Sequence, residues 1–187
     1  FGEIDPPGPN SYGKPFIPEF PEINVISNIK IGDQPVGGLG DGEAVWHADM
    51  TYIETPPKAS FLHALEIPES GGNTQWGNMY LAYEALPTHL KKEIKGRKAI
   101  HDATYNSAGM IRKGMKDVTD PRGAPGARHP LVSKHPESGL PCLFLGRRRN
   151  SYILGMDLEA SNQLLDELWA HIDNPEFTFT QVWQLHD

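Results

Sequence analysis

His47 and Asp49 stand one residue apart in the run Trp46-His47-Ala48-Asp49-Met50-Thr51-Tyr52. An imidazole and a carboxylate are two of the side chains that bind transition metals. On an extended segment, residues two apart project from one face, roughly 6.6 Å from each other along the strand. With a second histidine from elsewhere they make the facial triad of non-haem Fe(II) oxygenases, which leaves positions open for a co-substrate and dioxygen. By itself a His-x-Asp tripeptide is more often an ordinary polar pair in a strand or turn. The elements around it, and the residues they carry, decide between the two readings.

Residues 44–52 are expected to form the strand that bears this pair, and residues 59–67 the next one, with Pro56 and Pro57 between them. Residues 22–29, rich in β-branched side chains, predict an earlier strand, and residues 32–42 a glycine-laden turn. The proline-rich residues 1–22 read as a loop, suited to act as a lid. Asn78 can cap a helix over 78–86, and after Pro87 a second helix over 88–95 ends at Gly96. The clearest helix is 157–172, where Leu164, Leu165, Leu168, Trp169 and Ile172 recur at helical spacing. Residues 111–128 have little periodicity and read as a long mobile loop. Residues 131–134 and 143–145 flank a Pro-Glu-Ser-Gly turn and read as a hairpin. Few helices among many short strands point to a mainly β fold.

The chain of 187 residues is long enough for one sizeable core, so a single domain over 1–187 is expected. Seventeen basic against 24 acidic residues give a formal charge of −7, which argues against a nucleic-acid partner. Neither a long apolar run nor a signal-peptide pattern is present, and the single Cys142 cannot form an intrachain disulfide. These features fit a cytoplasmic protein without a membrane partner. Cys142 lies in an apolar run and is expected to be a buried small hydrophobe.

Beyond the metal pair, Trp46 to Pro57 continues into Gly71-Gly72-Asn73-Thr74-Gln75-Trp76, and then Ala82-Tyr83-Glu84-Ala85-Leu86 and His101-Asp102. His129-Pro130-Leu131-Val132, His135-Pro136-Glu137-Ser138-Gly139 and Pro175-Glu176-Phe177 follow in order. Together these motifs resemble the taurine dioxygenase-like (TauD/TfdA) family of Fe(II)- and 2-oxoglutarate-dependent dioxygenases. The resemblance implies a double-stranded β-helix, or jelly roll, with a few flanking α-helices. It implies His47 and Asp49 as metal ligands and catalytic residues, and Fe(II), 2-oxoglutarate and O2 as the cofactors and co-substrates. Succinate and CO2 would form as a small organic substrate is hydroxylated. Thr74 matches the family threonine whose hydroxyl binds a carboxylate of 2-oxoglutarate. Trp46 and Trp76 are core or pocket wall rather than reactive groups.

In relatives the second metal histidine and the arginine that pairs with 2-oxoglutarate follow a segment like residues 182–187, so both are expected beyond Asp187. Phe1-Gly2-Glu3 resembles an internal point of family members, and the fold is therefore expected to be incomplete at both ends. His186 is expected not to be the metal ligand. His101, His129 and His135 are expected to be hydrogen-bonded turn or core residues.

Glu43 stands where taurine-specific members carry an amide, and Pro6-Pro7-Gly8-Pro9-Asn10 where they carry the histidine and tyrosine of the sulfonate pocket. Taurine is therefore disfavoured. Arg147 or Arg149 can clamp a carboxylate or sulfonate bidentately, and Tyr105, Asn106 and Ser107 are candidates for the pocket wall. The plainer reading of the arginines is a solvated basic turn. The resemblance leaves room for a homo-oligomer. Two other readings remain open at this point: a cupin-like metal hydrolase or isomerase, with His129 or His135 as third ligand, and a non-catalytic barrel that binds a small acid.

Overall fold

The computed structural model describes residues 2–5, 13–39 and 45–187. The expectations for Glu43, for the stretch from Pro6 to Asn10, and for the glycines at 40 and 42 lie outside the described residues. Chain order begins with four two-residue strands: β1 (Ile26–Ser27), β2 (Lys30–Ile31), β3 (Gln34–Pro35) and β4 (Gly38–Leu39). It continues through β5 (Thr74–Gly77), α1 (Met79–Ala85), α2 (Thr88–Ile94), β6 (Lys98–Ile100), β7 (Arg128–Pro130) and β8 (Val132–Lys134). β9 (Pro141–Leu143), β10 (Tyr152–Ile153), α3 (Leu158–Ile172) and β11 (Thr178–Gln181) complete it. The strands form sheets of two or three, ordered β1-β4, β2-β3, β10-β6-β7, β8-β9 and β11-β5, with no closed barrel among the described residues.

The chain divides into two compact units that interleave in sequence. The second unit, Ala59–Ala99, His129–Leu145 and Tyr152–Asp187, holds the aliphatic core. Leu164, Leu165, Leu168 and Ile172 of α3 are buried there with Ala82 and Leu86, Leu90 and Ile94, and Leu131, Leu143 and Leu145. Each such leucine or isoleucine contributes about 1.5–3 kcal/mol on leaving water. Asp157 caps α3 by accepting from the backbone N–H groups of Glu159 and Ala160, and Asn78 caps α1 through those of Tyr80 and Leu81. His171 bonds the Ala82 carbonyl at 2.8 Å and so ties α3 to α1. All three predicted helices are present within one or two residues of their expected ends.

The hairpin is present with its second strand earlier than expected: Val132 pairs with Leu143 and Lys134 with Pro141, so β9 replaces 143–145. Cys142 is half-buried rather than buried, and this partial burial raises its thiol pKa. In β5 and β11 the antiparallel register sets Thr74 opposite Gln181 and Trp76 opposite Phe179.

The first unit, Phe1–Lys58, Ile100–Arg128 and Gly146–Ser151, is built differently. Apart from Ile100 and Tyr105 its buried residues are small or polar, among them Thr51, His101, Asp102, Thr104, Arg112 and Ser151. Backbone bonds hold its loops: His101 N–H to the Ala127 carbonyl, Ala103 N–H to that of Pro125 and Ala127 N–H to that of Tyr52. Residues 111–128 are therefore anchored irregular chain, with a single 3-10 turn at Pro121–Gly123.

Three strand expectations fail. Residues 22–29 yield only β1, residues 59–67 yield none, and residues 45–52 yield one isolated bridge, His47 to Arg147. Isolated strand propensity is weak without a partner edge, and the proline and glycine around these segments favour turns.

Candidate functional site

His47 is held from two sides. Its backbone forms the antiparallel bridge with Arg147, and the next N–H, that of Ala48, bonds the Gly146 carbonyl at 2.7 Å. Gly146 can do this because it has φ +69° and no side chain: a Cβ would lie 2.2 Å from Nδ1 of the buried His101. Immediately after, the chain turns. Met50 takes a positive φ of 49°, and Ile53 N–H bonds the Met50 carbonyl at 3.2 Å. This turn, not a strand, carries Asp49.

The result is a converging pair, with His47 Nε2 at 3.2 Å from Asp49 Oδ1. His47 Nδ1 lies 2.7 Å from the Val45 carbonyl, an acceptor, so Nδ1 carries a proton, and Nε2, which presents a lone pair whenever the ring is neutral, is the nitrogen that faces Asp49. Two lone-pair atoms facing each other require a cation or a proton between them. Cis ligands on an octahedral ion with bonds of about 2.1 Å lie about 3.0 Å apart, so the pair fits a divalent metal. Among the described residues no group of three or more His, Cys, Asp or Glu side chains stands together as a metal site.

Around this pair the same unit gathers charge. The Arg147 guanidinium donates to the Tyr105 carbonyl at 3.1 Å. Its pKa falls to about 10 through burial and the neighbouring Arg112 cation, opposed by Asp49 and Asp102. It therefore stays cationic at neutral pH. Arg112 is buried, donating to the Ala103 carbonyl at 2.9 Å and stacking 4.1 Å over the Tyr52 ring. Sequence reading passed over Arg112, and a lone arginine in an aperiodic loop gives no signal to find it.

Tyr105 is buried, its hydroxyl donates to Asp117, and its pKa is raised first by that bond. Arg149 lies 3.5 Å over the Tyr105 ring and donates to the Gly109 carbonyl at 3.4 Å. Asn106 closes a small loop, accepting from Met110 N–H at 2.9 Å, and Ser107 sits half-buried within it. Arg147 is thus brought beside the His47 and Asp49 pair, while Arg149, Tyr105 and Asn106 form one packed wall.

Thr74 belongs to the second unit, at the start of β5. Its Oγ1 accepts the indole N–H of Trp183 at 3.0 Å. An indole only donates, so the threonine proton is directed elsewhere, which suits a carboxylate acceptor. The family-shared histidines are structural in form: His101 is buried, His129 packs edge-on against Phe144 at 5.1 Å, and His135 Nδ1 accepts from the Glu137 and Ser138 N–H groups. His186 stacks on His63 with ring centroids 5.9 Å apart.

The chain is similar along most of its length to known dioxygenases. The family model described as taurine catabolism dioxygenase TauD, TfdA family, matches residues 7–187. An alpha-ketoglutarate-dependent 2,4-dichlorophenoxyacetate dioxygenase of Burkholderia sp. is 30% identical, over 90% of this chain and 58% of its own length. An alpha-ketoglutarate-dependent sulfate ester dioxygenase of Pseudomonas putida is 32% identical, over 89% of this chain and 57% of its own. The crystal structure of AAD-2 in complex with Mn(II) and N-oxalylglycine superposes with a TM-score of 0.65 at 31% identity, covering 76% of this chain and 56% of that one. The chain spans between two fifths and two thirds of the length of the curated relatives it matches first. With the His-x-Asp pair, the threonine and the match running through nearly all of its residues, the chain belongs to the TauD/TfdA family of dioxygenases.

Proposed function

We propose that the protein carrying this chain is an Fe(II)- and 2-oxoglutarate-dependent dioxygenase that hydroxylates a small anionic organic compound, a carboxylate, sulfonate or sulfate ester. The observation that carries this reading is the His47 Nε2 to Asp49 Oδ1 approach of 3.2 Å with the ring tautomer fixed by Val45. His47 and Asp49 would hold the metal, and a second histidine would complete the triad. Thr74 donates its hydroxyl proton to a carboxylate of 2-oxoglutarate. When bound, iron, 2-oxoglutarate and dioxygen supply the oxidising chemistry, in which 2-oxoglutarate leaves as succinate and CO2 and one oxygen atom enters the substrate.

The chain's own residues bind and orient. Arg147, whose backbone bridges His47, offers its remaining guanidinium N–H groups to an anionic substrate. It suits this better than Arg149, whose cation rests on Tyr105. Tyr105, Asn106 and Ser107 line the substrate side as a wall, and Trp46 and Trp76 serve as packing. Relatives named for 2,4-dichlorophenoxyacetate and for sulfate esters support an anionic substrate. The likeness to AAD-2 supports a jelly-roll catalytic domain. A cytoplasmic location and a homo-oligomer are part of the same reading; no helix among the described residues is long and apolar enough to cross a membrane.

The test is direct. Full-length protein, given Fe(II) and 2-oxoglutarate without oxygen, is expected to develop a weak visible charge-transfer absorption, and admission of oxygen with a panel of aryloxyacetates, alkyl sulfates and alkanesulfonates should release succinate. Tight binding of a small acid with neither absorption nor succinate would overturn the enzyme reading in favour of a non-catalytic barrel.

A further inference from the structure

We propose that Trp183 is a positioning residue for Thr74: its indole N–H sets the direction in which the threonine hydroxyl donates, and through that the affinity for 2-oxoglutarate. The proposal rests on the reading of Thr74 as the co-substrate's hydroxyl donor. Strand alternation places Thr74 and Trp76 on one face of β5 with Phe179 and Gln181 opposite them on β11, and Trp183 continues that parity two residues past the strand's end. From there its Nε1 meets Thr74 Oγ1 at 3.0 Å.

A hydroxyl has one proton and rotates to suit its neighbours. Left to itself, a strand threonine can turn that proton to a nearby backbone carbonyl. Once the oxygen accepts from a donor-only indole, orientations that point the proton toward Trp183 are excluded, and the accepted bond polarises the O–H into a better donor. The indole is itself braced. Trp76 meets it edge-on with centroids 6.0 Å apart at 64°, and Trp76 stacks on Phe179 at 6.3 Å. The plainer role for these three rings is to close the end of a two-stranded sheet. That role needs the ring of Trp183 and not its N–H, so the two can be separated.

The experiment measures the 2-oxoglutarate dissociation constant of the full-length Fe(II) protein without oxygen, by equilibrium dialysis, alongside its melting temperature. Trp183→Phe keeps an aromatic ring without the donor. Should it fold poorly, a benzothiophene analogue of tryptophan incorporated at 183 replaces N–H by sulfur in the same shape. Loss of one neutral hydrogen bond predicts about a fivefold weaker constant. Thr74→Val is expected to weaken binding further, and the double variant to bind no more weakly than Thr74→Val alone. In turnover, the donor-less variant should raise KM for 2-oxoglutarate and leave kcat at saturation nearly unchanged. An unchanged constant in the donor-less variant, with Thr74→Val weakened, overturns the role of Trp183 and leaves that of Thr74 standing. An unchanged constant in Thr74→Val overturns both, and no 2-oxoglutarate binding by the unaltered protein overturns the proposed function itself.

Discussion

Asp49 and Gly146 act on the proposed metal site by different means. Asp49 supplies charge: Asp49→Asn keeps the shape but offers a neutral amide beside His47 Nε2. The loss of Fe(II) affinity should exceed the roughly 10–100-fold typical of a lost outer partner, read by competition with a chelator, with little change in metal-free melting. Gly146 supplies geometry. Gly146→Ala must place a Cβ against the His101 ring at a backbone φ of +69°. The expected cost is about 2–4 kcal/mol in urea unfolding, with weaker metal binding because the Gly146 carbonyl anchors Ala48. The His47 and Asp49 pair stands out in the sequence by type and spacing, and Thr74 by its place among the family motifs. The service of Gly146 was not, because a glycine in sequence does not show what its missing side chain would strike.

At the scale of elements, the helices are legible because their signals are local: a capping side chain, a stripe at 3.6-residue period, a stop. Leu165→Ala in α3 should cost about 2–5 kcal/mol, since the side chain is fully buried. Asp157→Ala should cost about 1 kcal/mol through the lost cap. Chemical denaturation of both variants checks the ordering, and a cap variant costing more than the core variant would count against the packing described. The strands were poorly legible because a strand is defined by its partner. Residues 59–67 carry strand-like composition yet pair with nothing as a ladder, while β5 and β11, about a hundred residues apart, match over four positions.

For the whole molecule, metal loading is the natural test of a site built on the 3.2 Å approach of His47 Nε2 and Asp49 Oδ1. Fe(II) with 2-oxoglutarate at about 100 times the dissociation constant should stabilise the full-length protein by about 2.7 kcal/mol, raising its melting temperature, and chelation should reverse the gain. An unchanged melting temperature under saturating metal would contradict the site. By itself the sequence determined the helices and their core stripe and the order of family motifs, since these depend on side-chain chemistry and short-range period. The tertiary structure alone decided that a turn, not a strand, brings Asp49 to His47, that Arg147 is half-buried beside Asp49 with the buried Arg112 as its neighbour, and that Trp183 meets Thr74. Each of those needs residues far apart in the chain, or a backbone angle, and neither is written in local pattern.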